Sequence, residues 1–432
     1  MIDNTGAWTI GSTHQRHRKA LNPAFSASQL RTFLSLFQIS TQRLVDKWHD
    51  VLINGQQEQV LNVSKWLPRI TLDVVGESAF DYKFGALDED ENPLSSTLKH
   101  LFDDTLAITK TDMFFRALRR NLPFDPLYYH PLKKDAPLIL TKEDRRFNHW
   151  LEMTQGSART ILKDKADSSR AVESGSKDIL SVLVRSNALE DPSKRLDEEE
   201  VLSQMATIIL AGHETTASTI TWILYELARH PDHQHRVREE LDQIKKQKVE
   251  AGEDEAFTSH DYDSMPFFNA TIKEVLRLYP ISITLFRCAG RDDIIPLSEP
   301  IISASGRQLT EIPIKEGQRI HINISSYNHL RSIWGEDAGD WNPERFLDIK
   351  KGLTLGVYAN LMTFGAGIRS CIGWRFALQE MQAIVAGLIS NFEFSIDPNI
   401  EIYKGNFGLM APVVRGKEVE GSQMPLKVKI RG

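Results

Sequence analysis

The stretch Phe364-Gly365-Ala366-Gly367-Ile368-Arg369-Ser370-Cys371-Ile372-Gly373 contains one of the two cysteines in this chain of 432 residues. Two glycines precede the cysteine and a third follows it. Because glycine has no Cβ, such a loop can turn tightly and bring its backbone close to a flat ligand. The aromatic ring of Phe364 at one end, and Arg369 two positions before the sulfur, suit a loop that holds a thiolate beneath a large anionic ring. We therefore predict that Cys371 is a metal ligand.

The composition is that of an ordinary globular protein, with 41% hydrophobic and 25% charged residues, enough for a large core. The formal net charge of −6 argues against nucleic acid as a main partner. Two cysteines do not make a disulfide framework, which favours a reduced intracellular setting, and Cys288 is predicted to be buried beside a strand. No apolar run reaches the ~18–20 residues of a membrane span, and the first residues carry no targeting signal.

The spacing of apolar residues predicts a mainly helical chain. The longest predicted helix runs from Asp197 to Arg229, because acids follow Asp197 and Pro231 lies just past the end. Further helices are predicted at 29–55, 61–80, 231–247, 267–278 and 373–390. Residues 96–165 are interpreted as mixed helix and proline-containing loop, and 166–200 as a charged loop around a short helix near 179–184. Short strands are predicted at 281–286, 312–314, 320–324 and 426–430, which makes a small β region.

The middle of the longest helix reads Ala211-Gly212-His213-Glu214-Thr215-Thr216, so a glycine, an acid and two hydroxyls interrupt an apolar segment. A glycine inside a helix costs up to ~1 kcal/mol relative to alanine, and something should compensate for it. The Thr215 hydroxyl can bond to the carbonyl four residues earlier and open the helix locally. Alone, the hexapeptide favours a buried helix with a polar kink. Together with the cysteine loop, it favours a groove that can hold O2 and a water.

Three other segments carry charged residues at informative spacing. Glu274 and Arg277 lie three positions apart on a predicted helix, so they can pair, although such pairs are common on surfaces. Arg345 lies in the segment Asn342-Pro343-Glu344-Arg345-Phe346. His14 and Arg18 lie in a basic cluster over residues 11–19, which is typical of either a solvated face or an anion contact.

Together and in this order, these segments resemble the motifs of the cytochromes P450: the Phe-x-x-Gly-x-Arg-x-Cys-x-Gly loop, the acid–Thr segment of the long helix, and the Glu-x-x-Arg helix. The resemblance covers essentially the whole chain from Gly11 onward. It implies the mainly α cytochrome P450 fold with a small β region, one domain over residues 1–432, and haem b (iron protoporphyrin IX) as cofactor. Eukaryotic microsomal members carry a longer N-terminal portion with a membrane anchor and the first helices. We expect that portion to be missing here, through truncation or an incomplete gene model.

The resemblance also implies a role for each segment. Cys371 would be the proximal ligand of the haem iron, a thiolate that favours cleavage of an O–O bond. Glu214 and Thr215 would manage protons and oxygen. The other cofactor-binding positions would be His14, Arg18, Arg287, Phe364, Arg369 and Gly373, of which His14 and the three arginines would bind the propionates. The structural cluster below the haem would consist of Glu274, Arg277 and Arg345, which a buried position would make mutually dependent.

Substrate contacts follow from the same resemblance. The candidate residues are Ile208, Ala211, Thr215, Ile283, Thr284, Leu409 and Met410. They are mostly apolar, so we expect a hydrophobic small-molecule substrate. Residues with this spacing would also suit a plain hydrophobic core.

We therefore expect a haem-thiolate monooxygenase, an oxidoreductase that inserts one oxygen atom from O2 into a hydrophobic organic molecule. Electrons would come from NADPH–cytochrome P450 reductase, because the chain carries no flavin or dinucleotide fingerprint, and Arg369 and Arg375 would face that partner. The resemblance implies the cytosolic face of the endoplasmic reticulum membrane, although the sequence shows no anchor. The alternatives are a reductase-independent haem-thiolate isomerase or dehydratase, which the acid–Thr pair disfavours, and a haem-poor inactive fragment.

Overall fold

Helices form most of the structure, which confirms the mainly α prediction. The computed structural model describes residues 9–54, 57–88, 142–167, 177–347, 355–406 and 408–432. Its helices in chain order are α1 (Gly11–Leu21), α2 (Ala27–Leu30), α3 (Leu34–Asn54), α4 (Val63–Phe80), α5 (Lys142–Asp167), α6 (Ile179–Leu189), α7 (Glu198–Arg229), α8 (Pro231–Ala251), α9 (Ser259–Asp263), α10 (Pro266–Leu278), α11 (Ile324–Asn328), α12 (Arg331–Trp334) and α13 (Trp374–Asn391).

The central element is α7, whose 32 residues make it roughly 48 Å long at ~1.5 Å per residue. Its first turn forms a capping box with Asp197: the Asp197 carboxylate accepts from the backbone N–H of Glu200 at 2.8 Å, and the Glu200 carboxylate accepts from the backbone N–H of Asp197 at 3.0 Å. These reciprocal bonds satisfy donors that a helix start leaves unpaired. The helix ends at Arg229, directly before His230 and Pro231, so the predicted bounds are confirmed.

The glycine inside α7 has a structural reason. Helix α4 packs along α7, and a Cβ built on Gly212 would lie 2.9 Å from Cγ2 of Val75 on α4. That distance is shorter than van der Waals contact, so only a residue without a side chain lets the two helices approach this closely. The packing of α4 against α7 explains the glycine that the sequence left unexplained.

Helix α13, which follows the cysteine loop, contacts both α3 and α7. Its C-terminal end continues into strand β6 (Phe392–Ser395), where the rings of Phe392 and Phe394 lie 5.6 Å and 6.3 Å from the fully buried Trp48 of α3. Aromatic pairs at these distances bury large apolar areas and add directional contacts. The loop before α13 is thus attached to a helix that is packed into the core along its whole length.

The other strands are short and antiparallel. They are β1 (Glu58–Asn62), β2 (Thr284–Cys288), β3 (Asp293–Ile302), β4 (Gln308–Ile314), β5 (Arg319–Asn323), β7 (Ile402–Asn406), β8 (Met410–Val414) and β9 (Pro425–Ile430). Strand β9 lies between β1 and β6, with Gln59 opposite Val428 and Phe394 opposite the same valine. The pairs β2–β5, β3–β4 and β7–β8 form three two-stranded sheets.

Several details differ from the sequence predictions. Strands β1, β3, β6, β7 and β8 and helices α9, α11 and α12 were not predicted. Cys288 is exposed at the end of β2, so the prediction of a buried cysteine is wrong. It lies at the last position of β2, which pairs with β5 alone among the described residues. Most of the predicted mixed region at 96–165 lies outside the described residues.

In the described part of the chain, no helix combines the length and the apolar character that a membrane crossing requires.

Candidate active site

The cysteine loop is held by its own backbone. The N–H of Cys371 donates to the carbonyl of Phe364 at 2.8 Å, and the N–H of Ser370 donates to the carbonyl of Gly367 at 3.1 Å. Gly365 and Gly367 adopt φ of 68° and 67°, a region that residues with a Cβ rarely enter. The glycines that the sequence places before the cysteine are therefore required by the turn, which delivers Cys371 to the start of α13.

The Cys371 side chain is exposed, yet protein surrounds it on most sides. Burial raises the pKa of its thiol, against the opposing effects of the Gly373 backbone N–H and the positive charge of Arg18. A side chain that solvent can reach, although protein lies close around most of it, lies in a recess. A thiol in such a recess stays protonated on its own and loses its proton when it binds a metal ion, so this geometry fits a ligand to a buried metal group.

One face in the middle of α7 is open to solvent, whereas most of the helix is covered. In its middle, Ala211 is exposed and Ile208 and Thr215 are half-buried, and these positions share one face at helical spacing. The Thr215 hydroxyl donates to the carbonyl of Ala211 at 2.8 Å, which is the predicted bond. However, α7 continues unbroken through this turn, so the expected local opening of the helix is not found. The open space instead lies beside the small side chain of Ala211.

His213 and Glu214 lie next to each other on the neighbouring face. The imidazole of His213 is buried, and its Nδ1 donates to the carbonyl of Ile209 at 2.7 Å. Burial lowers the pKa of His213 to about 4, so the ring is neutral at pH 7. Its Nε2 lies 3.7 Å from the carboxylate of the half-buried Glu214. His213 thus holds the helix backbone, while Glu214 borders the open face.

Glu380 on α13 is an acid that the sequence reasoning missed. It is fully buried, and among the described residues no hydrogen bond satisfies its carboxyl oxygens. Burial raises its pKa well above the ordinary value, against a smaller opposing effect of the Thr216 hydroxyl on α7. Burial therefore favours the protonated form of this carboxyl, which lies close to the acid–Thr segment. A glutamate on the buried face of an apolar helix was the available signal.

The buried Glu380 carboxyl should make stability depend on pH. Because the folded state keeps this proton where the unfolded chain loses it, the free energy of unfolding should fall as pH rises above 4.5, the ordinary glutamate pKa. The slope from one proton is up to ~1.4 kcal/mol per pH unit, and it ends at the folded-state pKa. We expect Glu380→Gln to remove this slope in urea unfolding between about pH 5 and about pH 8. Glu393→Gln, at an exposed acid, is the control, and parallel curves for wild type and Glu380→Gln would contradict the assignment.

A cluster of cations surrounds the loop. The Arg18 guanidinium donates to the carbonyl of Ser370 at 2.5 Å. Burial and the charges of Arg369 and Arg18 lower the pKa of the buried His14, and burial and the charge of Arg287 lower the pKa of Arg369. Among the described residues, none of these four side chains forms a salt bridge. Because its lowered pKa leaves His14 uncharged at neutral pH, the cations of this cluster are the three arginines, and half-buried cations need an anionic partner.

The predicted structural cluster is present as a set of contacts. Arg277 donates two bonds of 2.7 Å to the two oxygens of Glu274, and both side chains are fully buried. Arg345 donates to the same carboxylate at 3.1 Å and to Asp337 at 2.9 Å. This geometry brings together all three residues that the sequence singled out. Asp337 was missed, because its place in the cluster depends on a loop path that the sequence does not show.

Another residue that the sequence did not identify connects this cluster to the cysteine loop. Asn328 is fully buried, its carbonyl accepts from Arg277 at 2.9 Å, and its side chain accepts from the N–H of Met362 at 3.1 Å. The same side chain donates to the Thr363 hydroxyl at 2.9 Å, and that hydroxyl donates to the carbonyl of Leu276 on α10 at 2.6 Å. Met362 and Thr363 directly precede the loop. The charged cluster is thus joined to the loop by buried hydrogen bonds.

The comparison with protein families agrees with this geometry. A family model described as Cytochrome P450 matches residues 7–415. The chain belongs to the cytochrome P450 family. It is similar to cytochrome P450 monooxygenase 128 of Postia placenta, with 34% identity over 427 residues, 97% of this chain and 76% of the relative. Cytochrome P450 monooxygenase claQ of Ampulloclitocybe clavipes is 31% identical over 439 residues (98% and 76%), and ganoderic acid synthetase CYP5150L8 of Ganoderma lucidum is 31% identical over 431 residues (97% and 77%).

The relatives are fungal, which agrees with the predicted eukaryotic type, and the chain is an oxidoreductase of the monooxygenase class. Cytochromes P450 depend on haem and in general use redox partner proteins and hydrophobic substrates. The residues present fit the haem of this P450. A recessed thiol offers the iron ligand, and His14, Arg18, Arg287 and Arg369, which form no salt bridge with any described residue, offer partners for two carboxylates.

The candidate substrate residues of this P450 come from three elements. Ile283 and Thr284 are half-buried at the start of β2, and Leu409 is half-buried before β8. The N–H of Met410 donates to the carbonyl of Ile281 at 2.8 Å, which brings the last two segments together. Strand β8 also contacts α7, on which Ile208 and Ala211 lie. The structure therefore brings the β2 and β8 segments together and places β8 against α7, and contact of the predicted residues with a substrate stays a prediction.

Proposed function

We propose that this P450 is a haem b–thiolate monooxygenase that hydroxylates a hydrophobic organic molecule with electrons from NADPH–cytochrome P450 reductase. In the overall reaction, one oxygen atom of O2 enters the substrate and the other leaves as water. NADPH supplies two electrons and one proton and becomes NADP+, and one further proton from solvent completes the water. The observation that carries this proposal is the recessed thiol of Cys371 in a glycine turn beside arginines that form no salt bridge among the described residues. When bound there, the haem supplies the redox chemistry that activates O2.

The chain's own residues would act in three ways. The thiolate of Cys371 would hold the iron, while the ring of Phe364 and the backbone at Gly373 would line the cofactor's edge. Thr215, whose hydroxyl is held by the Ala211 carbonyl, can accept or donate a hydrogen bond at the open face. The half-buried Glu214 beside it can pass a proton from solvent to that hydroxyl. The apolar residues of α7, β2 and β8 would exclude water and retain a hydrophobic substrate.

The reduced, CO-bound absorption spectrum of the purified full chain tests the cofactor and its ligand. We expect the red-shifted Soret band of a thiolate-ligated haem. Product formation that needs both NADPH with reductase and O2 then separates a monooxygenase from an isomerase or dehydratase. A normal band with turnover in the absence of NADPH would overturn the proposed reaction, and no thiolate-type band would favour the inactive-fragment alternative.

We propose that the reductase contacts the side of the protein that carries Arg375, and that the protein works at the cytosolic face of the endoplasmic reticulum. Arg375 is exposed in the first turn of α13, with its guanidinium 4.1 Å from the ring centre of Trp374. A cation held on an aromatic face is suited to an acidic partner surface.

Charge reversal at this position tests the contact. We expect Arg375→Glu to slow reductase-driven turnover about tenfold, equivalent to ~1.4 kcal/mol of lost interaction, because it places like charges opposite each other. The CO spectrum after chemical reduction should stay unchanged. Arg331→Glu, at an exposed arginine of α12, is the matched control. Unchanged turnover for Arg375→Glu would remove this residue from the docking surface.

A further inference from the structure

Helix α1 carries a concentration of positive charge. Its 11 residues include Arg16, Arg18 and Lys19 as well as two buried histidines, and none is acidic. The side with His14 and Arg18 faces Arg369 and the cysteine loop, and these charges contribute to the low pKa of His14 after burial. On this side, the bond from Arg18 to the Ser370 carbonyl attaches α1 to the loop, while the charges of Arg18 and Arg369 disfavour a proton on His14. A second contact holds the helix in place.

That contact is on the other side of α1, where Glu200 of α7 lies. Arg16 donates to both oxygens of this 5%-exposed carboxylate, one of them at 2.7 Å. Nε2 of His17 lies 3.0 Å from the same carboxylate, and the Gln204 amide donates to Nδ1 of His17 at 3.2 Å. Because Nδ1 accepts, Nε2 carries the proton and donates to Glu200. One buried carboxylate thus receives three bonds from α1.

Glu200 is ionised over the whole physiological range. Burial works to raise its pKa, but the bonds from Arg16, His17 and the Asp197 backbone outweigh burial and lower the pKa to about 2. The same carboxylate completes the capping box of α7, so its position is set by the start of the central helix. Charge-assisted bonds to a carboxylate fixed in this way restrict α1 both in distance and in rotation.

We propose that Glu200 is a positioning residue for the cofactor: it fixes α1 through its bonds to Arg16 and His17, so that His14 and Arg18 face the haem propionates. This inference rests on the proposed function. Removing the negative charge of Glu200 can affect haem binding in two ways, and these have opposite signs. A loss of positioning weakens the grip on the propionates, whereas removing one negative charge without movement strengthens the binding of an anion.

The test is Glu200→Gln, whose amide oxygen still accepts the bond that completes the cap of α7. Wild type and variant are each loaded with haem b or with its dimethyl ester, which lacks the propionate charges, and the rate of ferric haem transfer to an excess of apomyoglobin is measured. We expect Glu200→Gln to release haem b about tenfold faster and the dimethyl ester less than about twofold faster. If the variant releases both porphyrins faster by the same factor, Glu200 only supports the fold in general. If the variant releases haem b more slowly, the charge of Glu200 acts on the cofactor without positioning α1. Either result overturns the proposal.

Hydrogen exchange of the full chain gives a measurement that does not depend on cofactor binding. We expect Glu200→Gln to speed the exchange of residues 11–21 and to leave residues 205–229 unchanged. The matched control is Glu199→Gln, since the neighbouring Glu199 pairs with Arg159 at 3.2 Å and both side chains are about half exposed. If the wild type binds no haem, the proposed function fails, and exchange still decides whether Glu200 holds α1. Unchanged exchange in residues 11–21 would overturn the proposal.

Discussion

Cys371→Ala is expected to abolish the red-shifted Soret band of the reduced, CO-bound protein. The cysteine loop places this sulfur in a recess beside Arg18, and alanine offers no ligand atom in its place. The thiol pKa is raised by burial, so a metal ion is needed to make it a thiolate at neutral pH. A haem bound without that thiolate has a different axial ligand and therefore a different spectrum. The measurement is the CO difference spectrum at equal protein concentration, together with the haem content.

Cys288→Ala is the matched control, because Cys288 is the second cysteine of the chain and is exposed at the end of β2. We expect it to retain the band at wild-type intensity. A thiolate-type band in Cys371→Ala that disappears only in the double variant would show that Cys288 is the ligand. A band that is absent from all three variants and from the wild type would instead contradict the proposed function as a whole.

The sequence predicted the parts of the fold that depend on local patterns. The bounds of α7 follow from Asp197, the acids after it and Pro231, all of which act within a few residues. The turn of the cysteine loop follows from Gly365 and Gly367, whose positive φ angles no other residue type adopts as easily. Such features are properties of short segments, so they can be recognised without knowing what the segments pack against.

Features that depend on contacts between distant segments could not be predicted in this way. Strand β1 pairs with β9 more than 350 positions later, so its five residues carry little signal of their own. Gly212 needs its missing side chain because of Val75, and nothing in the hexapeptide identifies that partner. Only the family's motif order, not the periodicity, predicted that Glu274 and Arg345 would meet.

Two of the missed site residues, Asn328 and Glu380, share one physical property: each is polar, buried and close to groups far away in the sequence. Asn328 links α10 to the segment before the cysteine loop, and Glu380 faces Thr216 from a different helix. A polar residue in an apolar segment shows that a partner must exist, because an unpaired buried polar group is unfavourable. The sequence cannot name the partner, and the role of the residue depends on the partner.

The same reasoning makes the Glu274 cluster the most sensitive structural element near the site. Glu274→Ala is expected to lower the free energy of unfolding by ~3–5 kcal/mol, because it leaves the buried Arg277 without a counter-charge. Arg277 also holds the carbonyl of Asn328, which positions the segment before the cysteine loop. We therefore expect the variant to lose most of its bound haem as well. The measurements are urea unfolding and the ratio of haem to protein in the purified chain.

Glu344→Ala is the control for this prediction, since Glu344 lies one position before Arg345 but is about half exposed and pairs with the exposed Arg236. A surface pair of this kind contributes less than ~1 kcal/mol, so the control should keep its stability and its haem. The double variant Glu274→Ala/Arg277→Met should recover part of the lost stability, because it removes the unpaired buried charge, but not the haem, because the bond to Asn328 stays broken. A Glu274→Ala protein with wild-type haem content would contradict the link between the cluster and the loop. A double variant that recovers both would show that the cluster acts on stability alone.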